Sequence, residues 1–255
     1  MPRPERVYRT PAIILKRRDF GEADRMLTII TPLHGKQDVL AKGARKITST
    51  KMGHVELFTR VDLLINAGRD FGIVSQAEMT EAYQPLREDL TRGAYAAFAA
   101  EMLDRFIEEG EEEPRALFTL FDETLSRIAH EPNPRLAVIY YEMRLLDLAG
   151  FRPEVQECVI GHEAIEAQDQ VFSFVDGGVI CPQHAPVRSD GITPLPLATL
   201  KLLRHVQRSR YAQLRNLEIS AGLADDADRV LLGYITSLLE RRLQSVDFIR
   251  RLRQS

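Results

Sequence analysis

Gly35-Lys36-Gln37-Asp38-Val39-Leu40-Ala41-Lys42-Gly43-Ala44-Arg45-Lys46, followed by Ser49 and Lys51, decides how this chain is read. Val39-Leu40-Ala41 follows a glycine turn and reads as a strand, which Gly43 breaks into a loop carrying Lys42, Arg45 and Lys46. Long cations on a strand and its exit loop can approach a curved, wet phosphate backbone while keeping most of their hydration. The stretch predicts a surface that tracks nucleic acid.

Working outward, short apolar runs recur at Ala12 to Leu15, Met26 to Ile30, Val61 to Ile65 and Ile73 to Ala77, the last two flanking the turn Asn66 to Gly72. With Val39 to Ala41 they make five strands, whose spacing predicts a small Greek-key barrel of the OB type over residues 1–82. From Arg87 the period lengthens to that of a helix. Leu90, Ala94, Ala97, Phe98, Met102, Leu103 and Phe106 recur at helical spacing, with Asp89 or Thr91 as cap. Leu117 to Ile128 and Leu136 to Ala149 predict two more helices, the last closed by Gly150, and the three suggest a bundle. Helical spacing fades over 151–195 and returns at Leu197 to Val206 and Val230 to Leu239. The expected fold is α+β: a five-stranded OB-type barrel (1–82), then an α-helical domain (83–255) with a small zinc-finger-like insert at 151–195.

The net charge of −3 speaks against a nucleic-acid partner only if the charge is evenly spread. It is not. Residues 1–80 carry 14 Lys and Arg against 9 Asp and Glu, a net +5, whereas residues 81–150 carry 7 against 15, a net −8. The phosphate-facing candidates are Lys16, Arg17, Arg18, Arg25, Lys36, Lys42, Arg45, Lys46 and Lys51. Surface strands also carry lysine for solubility and to blunt edges, so the alternative is a solvated face. Tyr8, Phe20, Phe58 and Phe71 are the only aromatics in the same segment, which predicts binding dominated by charge rather than by stacking.

Cys158 and His162, then Cys181 and His184, form two close pairs of soft ligands separated by about twenty residues, a spacing that suits one structural zinc ion. The alternative is a knuckle with two buried thiols and no metal. Enzyme signatures are lacking: there is no phosphate-binding Gly-x-x-x-x-Gly-Lys-Ser/Thr, no nucleophile elbow and no His-Glu-x-x-His. The acidic run Glu108 to Glu113 reads as a solvated face rather than a nuclease site. No apolar run approaches the roughly 20 residues of a membrane helix, and Met1 to Arg6 lead into no apolar core, so a cytoplasmic location is expected.

Ala12-Ile13-Ile14-Leu15, Gly21-Glu22-Ala23-Asp24-Arg25-Met26-Leu27-Thr28, Thr31-Pro32-Leu33-His34-Gly35-Lys36 and Ala41-Lys42-Gly43-Ala44-Arg45 stand in the order of the amino-terminal barrel of the bacterial recombination mediator family RecO. Tyr140-Tyr141-Glu142-Met143-Arg144-Leu145-Leu146-Asp147-Leu148-Ala149-Gly150-Phe151-Arg152-Pro153 resembles that family's central helix and the start of its metal-binding insert. The resemblance implies a non-enzymatic DNA-repair mediator, associated with the nucleoid, that binds single- and double-stranded DNA and anneals complementary strands. It further implies docking of the acidic, hydrophobic tail of single-strand-binding protein, with Arg144, Arg204 and Arg208 as candidate groove edges, and cooperation with RecR to load RecA. Many members carry two Cys-x-x-Cys pairs. Here Gly161 stands at the second ligand position with His162 beside it, and His184 stands at the fourth. The rival from another class is an RNA- or tRNA-binding OB adaptor without annealing activity, and a more distant one is a zinc-dependent nucleic-acid hydrolase.

Overall fold

The computed structural model of the chain describes residues 7–46, 49–51, 53–108, 113–185, 191–239, 243 and 245–246. The protein is α+β and divides into two compact units, one reaching to His130 and the other beginning at Glu131. Most of the acidic run and the basic tail Phe248 to Arg253 lie outside the described residues.

In the first unit, β1 (Val7–Phe20), β2 (Asp24–Thr31), β3 (Gly35–Ala41), β4 (Arg60–Asn66) and β5 (Gly72–Glu81) close a barrel in the order β1-β2-β3-β5-β4. Neighbours run antiparallel except β3 and β5, which pair in parallel through Val39 with Gly72 and Leu40 with Ile73. Ile14, Leu27, Ile29, Val39, Leu63 and Ile65 fill the interior with no exposure. β4 alternates buried and half-buried residues as a strand with one covered face should. β1 and β2 do not alternate: Ile13 and its partner Ile30 point away from the barrel core and are still fully buried. Helices α2 (Leu90–Phe106) and α3 (Pro114–His130), which follow the short α1 (Pro85–Glu88), pack on this outer face of β1, β2 and β3. Ala12 to Leu15 is therefore a continuous apolar run because both of its faces are covered. Asp89 caps α2 by accepting from the N–H groups of Thr91 and Arg92.

In the second unit, α4 (Pro134–Leu148), α5 (Leu197–Arg208) and α7 (Ala221–Leu239) pack on one another, and the single turn α6 (Tyr211–Leu214) follows α5. Asn133 caps α4, and Gly150, at φ +80°, ends it by letting the Phe151 N–H reach the Leu146 carbonyl at 2.8 Å. The expected bundle of the first three long helices is corrected here: α4 belongs with α5 and α7, not with α2 and α3. Its buried residues run unbroken from Leu136 to Met143, and a helix apolar around its circumference needs neighbours on several sides. The insert forms a three-stranded sheet in the order β7-β6-β8 from β6 (Gln170–Ser173), β7 (Gly178–Ile180) and β8 (Ile192–Leu195). Among the described residues no helix is long and apolar enough to cross a membrane.

Candidate nucleic-acid interface and metal centre

A bulge in β1 decides where the barrel cations point. Ile14 pairs with the inward Ile29, but the register slips between Ile14 and Lys16, so that Lys16 pairs with Thr28 and Arg18 with Met26 on the outer face. One extra residue flips every following side chain to the other face. Without the slip Lys16 and Arg18 would continue the inward row of Ala12 and Ile14.

The nine candidate cations fall into three groups. Lys16 and Lys36 converge on Asp104 of α2, where Lys36 also donates to the Asp104 carbonyl at 2.7 Å and its side chain is only 17% exposed. These two tie the barrel to the helix. Arg17 and Arg25 share Glu56, Arg18 lies 3.9 Å from Asp38, and Arg45 pairs with Asp19 at 3.3 Å. Lys42, Lys46 and Lys51 form no ion pair with a described residue, and Lys42 and Lys46 are exposed.

The loop carrying Lys42, Arg45 and Lys46 is held in place. Gly43, at φ +66°, donates its N–H to Asp24 Oδ1 at 2.7 Å, and the Arg45 N–H donates to the Ala23 carbonyl at 2.9 Å. Between them Ala44 is fully buried and belongs to the barrel core. A small apolar plug thus anchors a loop whose flanking cations face solvent, which presents charge without the entropy cost of ordering it on contact.

In the second unit the structure gathers Cys158 Sγ, a Glu163 carboxylate oxygen, Cys181 Sγ and His184 Nδ1 within 4.8 Å of one another. His184 Nδ1 lies 3.7 Å from Cys158 Sγ, 3.2 Å from Cys181 Sγ and 3.2 Å from Glu163 Oε1. Ligands held at 2.0–2.3 Å around a tetrahedral zinc stand about 3.3–3.8 Å apart; the His184 separations lie close to that range, and the Cys181 Sγ–Glu163 Oε1 contact, at 2.8 Å, would have to open for both to hold one ion. The chemistry fits too: two thiols, an imidazole and a carboxylate are all zinc donors.

His162 is corrected by this geometry. It is exposed, at φ +61°, and its backbone N–H turns back to the Cys158 carbonyl at 2.8 Å; Glu163 takes the place expected for it. Gly161 lies against the cluster, where a Cβ would stand 2.3 Å from His184 Cε1 and 2.1 Å from Glu163 Oε2. The His184 ring and the carboxylate occupy the space that a side chain at 161 would need. A search confined to Cys and His could not find Glu163.

The four groups polarise one another. Burial opposes ionisation of Cys158, yet the N–H groups of Cys181, Gly161 and Ile160, together with His184, hold its thiol below the usual range. The bond to Glu163 pushes the Cys181 thiol up and holds the Glu163 carboxyl down, while Cys158 raises His184.

The second unit also contains a groove of about 530 Å³ between α5 and the segment leading into α7, lined by Leu202, Leu217, Ile219 and Leu223 with Lys201 and Arg208. Arg204 lines it as well, but its guanidinium donates to the carbonyls of Val155 at 2.6 Å and Ile165 at 3.2 Å. Arg144 does not line the groove; it donates to the Ser209 carbonyl and sits over the Tyr140 ring. Of the three arginines suggested by the sequence, Arg204 and Arg208 line the groove, and Arg208 is the one whose guanidinium has no partner among the described residues.

A closed five-stranded barrel with a pinned cationic loop, followed by helices and an insert that gathers four potential metal donors, defines a class of barrel-and-helix proteins. Residues 6–83 match the family model described as Recombination protein O N terminal, and residues 87–247 match Recombination protein O C terminal. The protein named DNA repair protein RecO from Roseiflexus sp. (strain RS-1) is 40% identical over 250 residues, covering 98% of this chain and 87% of that protein. Proteins of the same name from Desulforamulus reducens and Symbiobacterium thermophilum are each 32% identical, covering 98% of this chain and 96% and 99% of theirs. The chain belongs to the RecO family, a family of DNA repair and recombination proteins.

Proposed function

We propose that this chain is a non-enzymatic mediator of DNA repair and recombination that binds single- and double-stranded DNA and anneals complementary strands. The observation that carries the reading is the plug-anchored loop, where buried Ala44 presents exposed Lys42 and Lys46 without a carboxylate partner among the described residues. Cations of this kind lower the repulsion between two phosphate chains and release their counterions, and because they do not touch base edges they leave the bases free to pair. Annealing by this route makes and breaks no covalent bond. Arg18 and Arg45 contribute by exchanging an exposed carboxylate for a phosphate, a trade that costs little because such surface pairs are worth about 0–1 kcal/mol, whereas Arg17 and Arg25 share the half-buried Glu56 and exchange it less readily.

A zinc ion, when bound by Cys158, Glu163, Cys181 and His184, supplies a cross-link within the insert rather than chemistry. These residues stand in the second unit and the cationic loop in the first, and we assign the ligands a folding role. The groove of α5 suits the acidic, hydrophobic tail of single-strand-binding protein: its leucines and isoleucine would take an aromatic side chain, and Arg208 and Lys201, which with Arg204 outnumber the acidic Glu218 of the lining, would pair the carboxylates. With RecR, the protein would help load RecA on coated DNA. The test is annealing of complementary oligonucleotides, bare and coated with single-strand-binding protein. Annealing on both substrates is expected, and binding without annealing on either would end the reading.

A further inference from the structure

The barrel's outer face carries a feature that the charge count alone does not reveal. Phe20, at the end of β1, is 42% exposed, and its ring lies 6.3 Å from that of Phe71 in an edge-to-face arrangement at 72°. The bulge in β1 puts Phe20 on the same outward row as Lys16 and Arg18. Phe71 reaches it from the turn before β5 and is held there by its neighbours. A Cβ at Gly68 would stand 2.0 Å from the Phe71 carbonyl oxygen, and one at Gly72 would stand 2.6 Å from Ile65 Cγ2, so the turn can be this tight only with glycine on both sides of Phe71.

Cations border the pair. Phe20 leads directly into the Gly21–Asp24 turn, on which the Lys42–Lys46 loop is pinned: Gly43 bonds to Asp24, and Arg45 reaches both the Ala23 and Gly21 carbonyls. Arg18, two residues before Phe20 on the same face, is 69% exposed, and among the described residues its ion pair is the one with Asp38 at 3.9 Å. Arg69 stands exposed in the Phe71 turn. An exposed phenyl ring braced edge-on by a half-buried one, and bordered by cations with weak or no pairing among the described residues, matches the chemistry of an unstacked nucleobase with phosphates on either side.

We propose that Phe20 and Phe71 form a base-stacking platform, so that the barrel grips single-stranded nucleic acid by bases as well as by phosphates. The proposal rests on the nucleic-acid reading of this face and deepens it: it assigns the face a preference for unpaired strands, because a duplex keeps its bases stacked on one another and offers no free π-face. An edge-to-face pair leaves ring faces unused by the pair itself, which is the geometry a third ring can join.

The experiment compares binding of the full chain to a thymidine oligomer and to an abasic oligomer of equal length and charge, at one salt concentration. The wild-type protein is expected to prefer the thymidine oligomer by about fivefold or more, the lower range for one stacked base. Phe20→Leu and Phe71→Leu should remove that preference while leaving the abasic affinity unchanged, and Phe20→Tyr and Phe71→Tyr should keep it. Equal wild-type affinity for the two oligomers, with both weakening in salt, would overturn the platform and leave the DNA reading intact. A uniform loss on both oligomers in the leucine variants would assign the pair a purely structural role and would also overturn it. No binding of the wild type to either oligomer would sink the nucleic-acid reading itself, and the platform with it.

Discussion

Replacing Lys42 and Lys46 by Ala should flatten the salt dependence of DNA binding by a predictable amount. Both side chains are exposed, both flank the buried Ala44 plug, and neither pairs with a described carboxylate, so their removal leaves the loop anchored and frees no buried charge. On single strands each phosphate neutralised contributes about −0.7 to the slope of log affinity against log salt, so losing two cations should raise the slope by about 1.4. Over a fourfold increase in salt, the double variant should then lose about sevenfold less affinity than the wild type. Arg45 is left in place because its pairing with Asp19 at 3.3 Å means that its removal would also expose a carboxylate, mixing two effects. The assay is a fluorescence anisotropy titration at several salt concentrations, with melting curves to show that the variant is folded. A slope unchanged within error would show that phosphates bind elsewhere and would refute the reasoning from exposure and pairing.

Other consequences follow from the same geometry. Lys36→Ala should destabilise the first unit by about 1–2 kcal/mol, because it removes a largely buried cation from the Asp104 carbonyl and carboxylate; a denaturation midpoint checks this, and an unchanged midpoint with a flattened salt slope would move Lys36 to the DNA surface. Glu163→Gln should weaken zinc binding by about tenfold or more while His162→Ala leaves it unchanged, as measured by competition with a chromophoric chelator; the reverse order would restore His162 as the ligand. Cys181→Ser should lower the melting temperature of the zinc-loaded protein with little effect on strand binding, and elemental analysis finding no metal in the wild type would end the zinc proposal. An acidic peptide with a terminal aromatic residue should bind the full chain more weakly after Arg208→Ala and as salt rises, whereas Arg144→Ala should leave binding unchanged; the opposite pattern would place the tail outside the α5 groove.

The barrel was legible because its strands announce themselves in the short apolar runs, and the turn at Asn66 to Gly72 marks one of their junctions. The full length of β1 was not. Residues 16–20 are polar or exposed apart from what the bulge does to them, and a register slip leaves no trace in composition. Helix ends at Asp89 and Gly150 could be read because capping is local chemistry. The grouping of α4 with α5 and α7 could not, since periodicity shows how much of a helix is apolar and not which neighbour covers it. At the candidate site, the sequence supplied the cations but not their partners: Asp104 lies 68 residues from Lys36, and Glu56 lies 39 from Arg17. Of the four groups that the structure gathers, Cys158, Cys181 and His184 could be named from their spacing, whereas Glu163 could not, because a carboxylate beside a histidine carries no spacing signal of its own.

On the proposed reading, the carboxylates on the barrel temper a segment of net charge +5, so that a phosphate-binding face need not be a sticky cation. Asp19, Glu56 and Asp38 neutralise Arg45, Arg17, Arg25 and Arg18 in the free protein, and all of these pairs sit at least partly in solvent. A phosphate that displaces such a carboxylate gains about as much as it breaks, so these arginines add little affinity and much tolerance of strand position. Lys42 and Lys46 have no such internal competitor among the described residues and would supply the net attraction. A surface divided in this way would bind weakly per contact, fall off steeply with salt and let strands slide. Those are the properties that annealing requires, since a cation holding one phosphate tightly would fix two strands out of register.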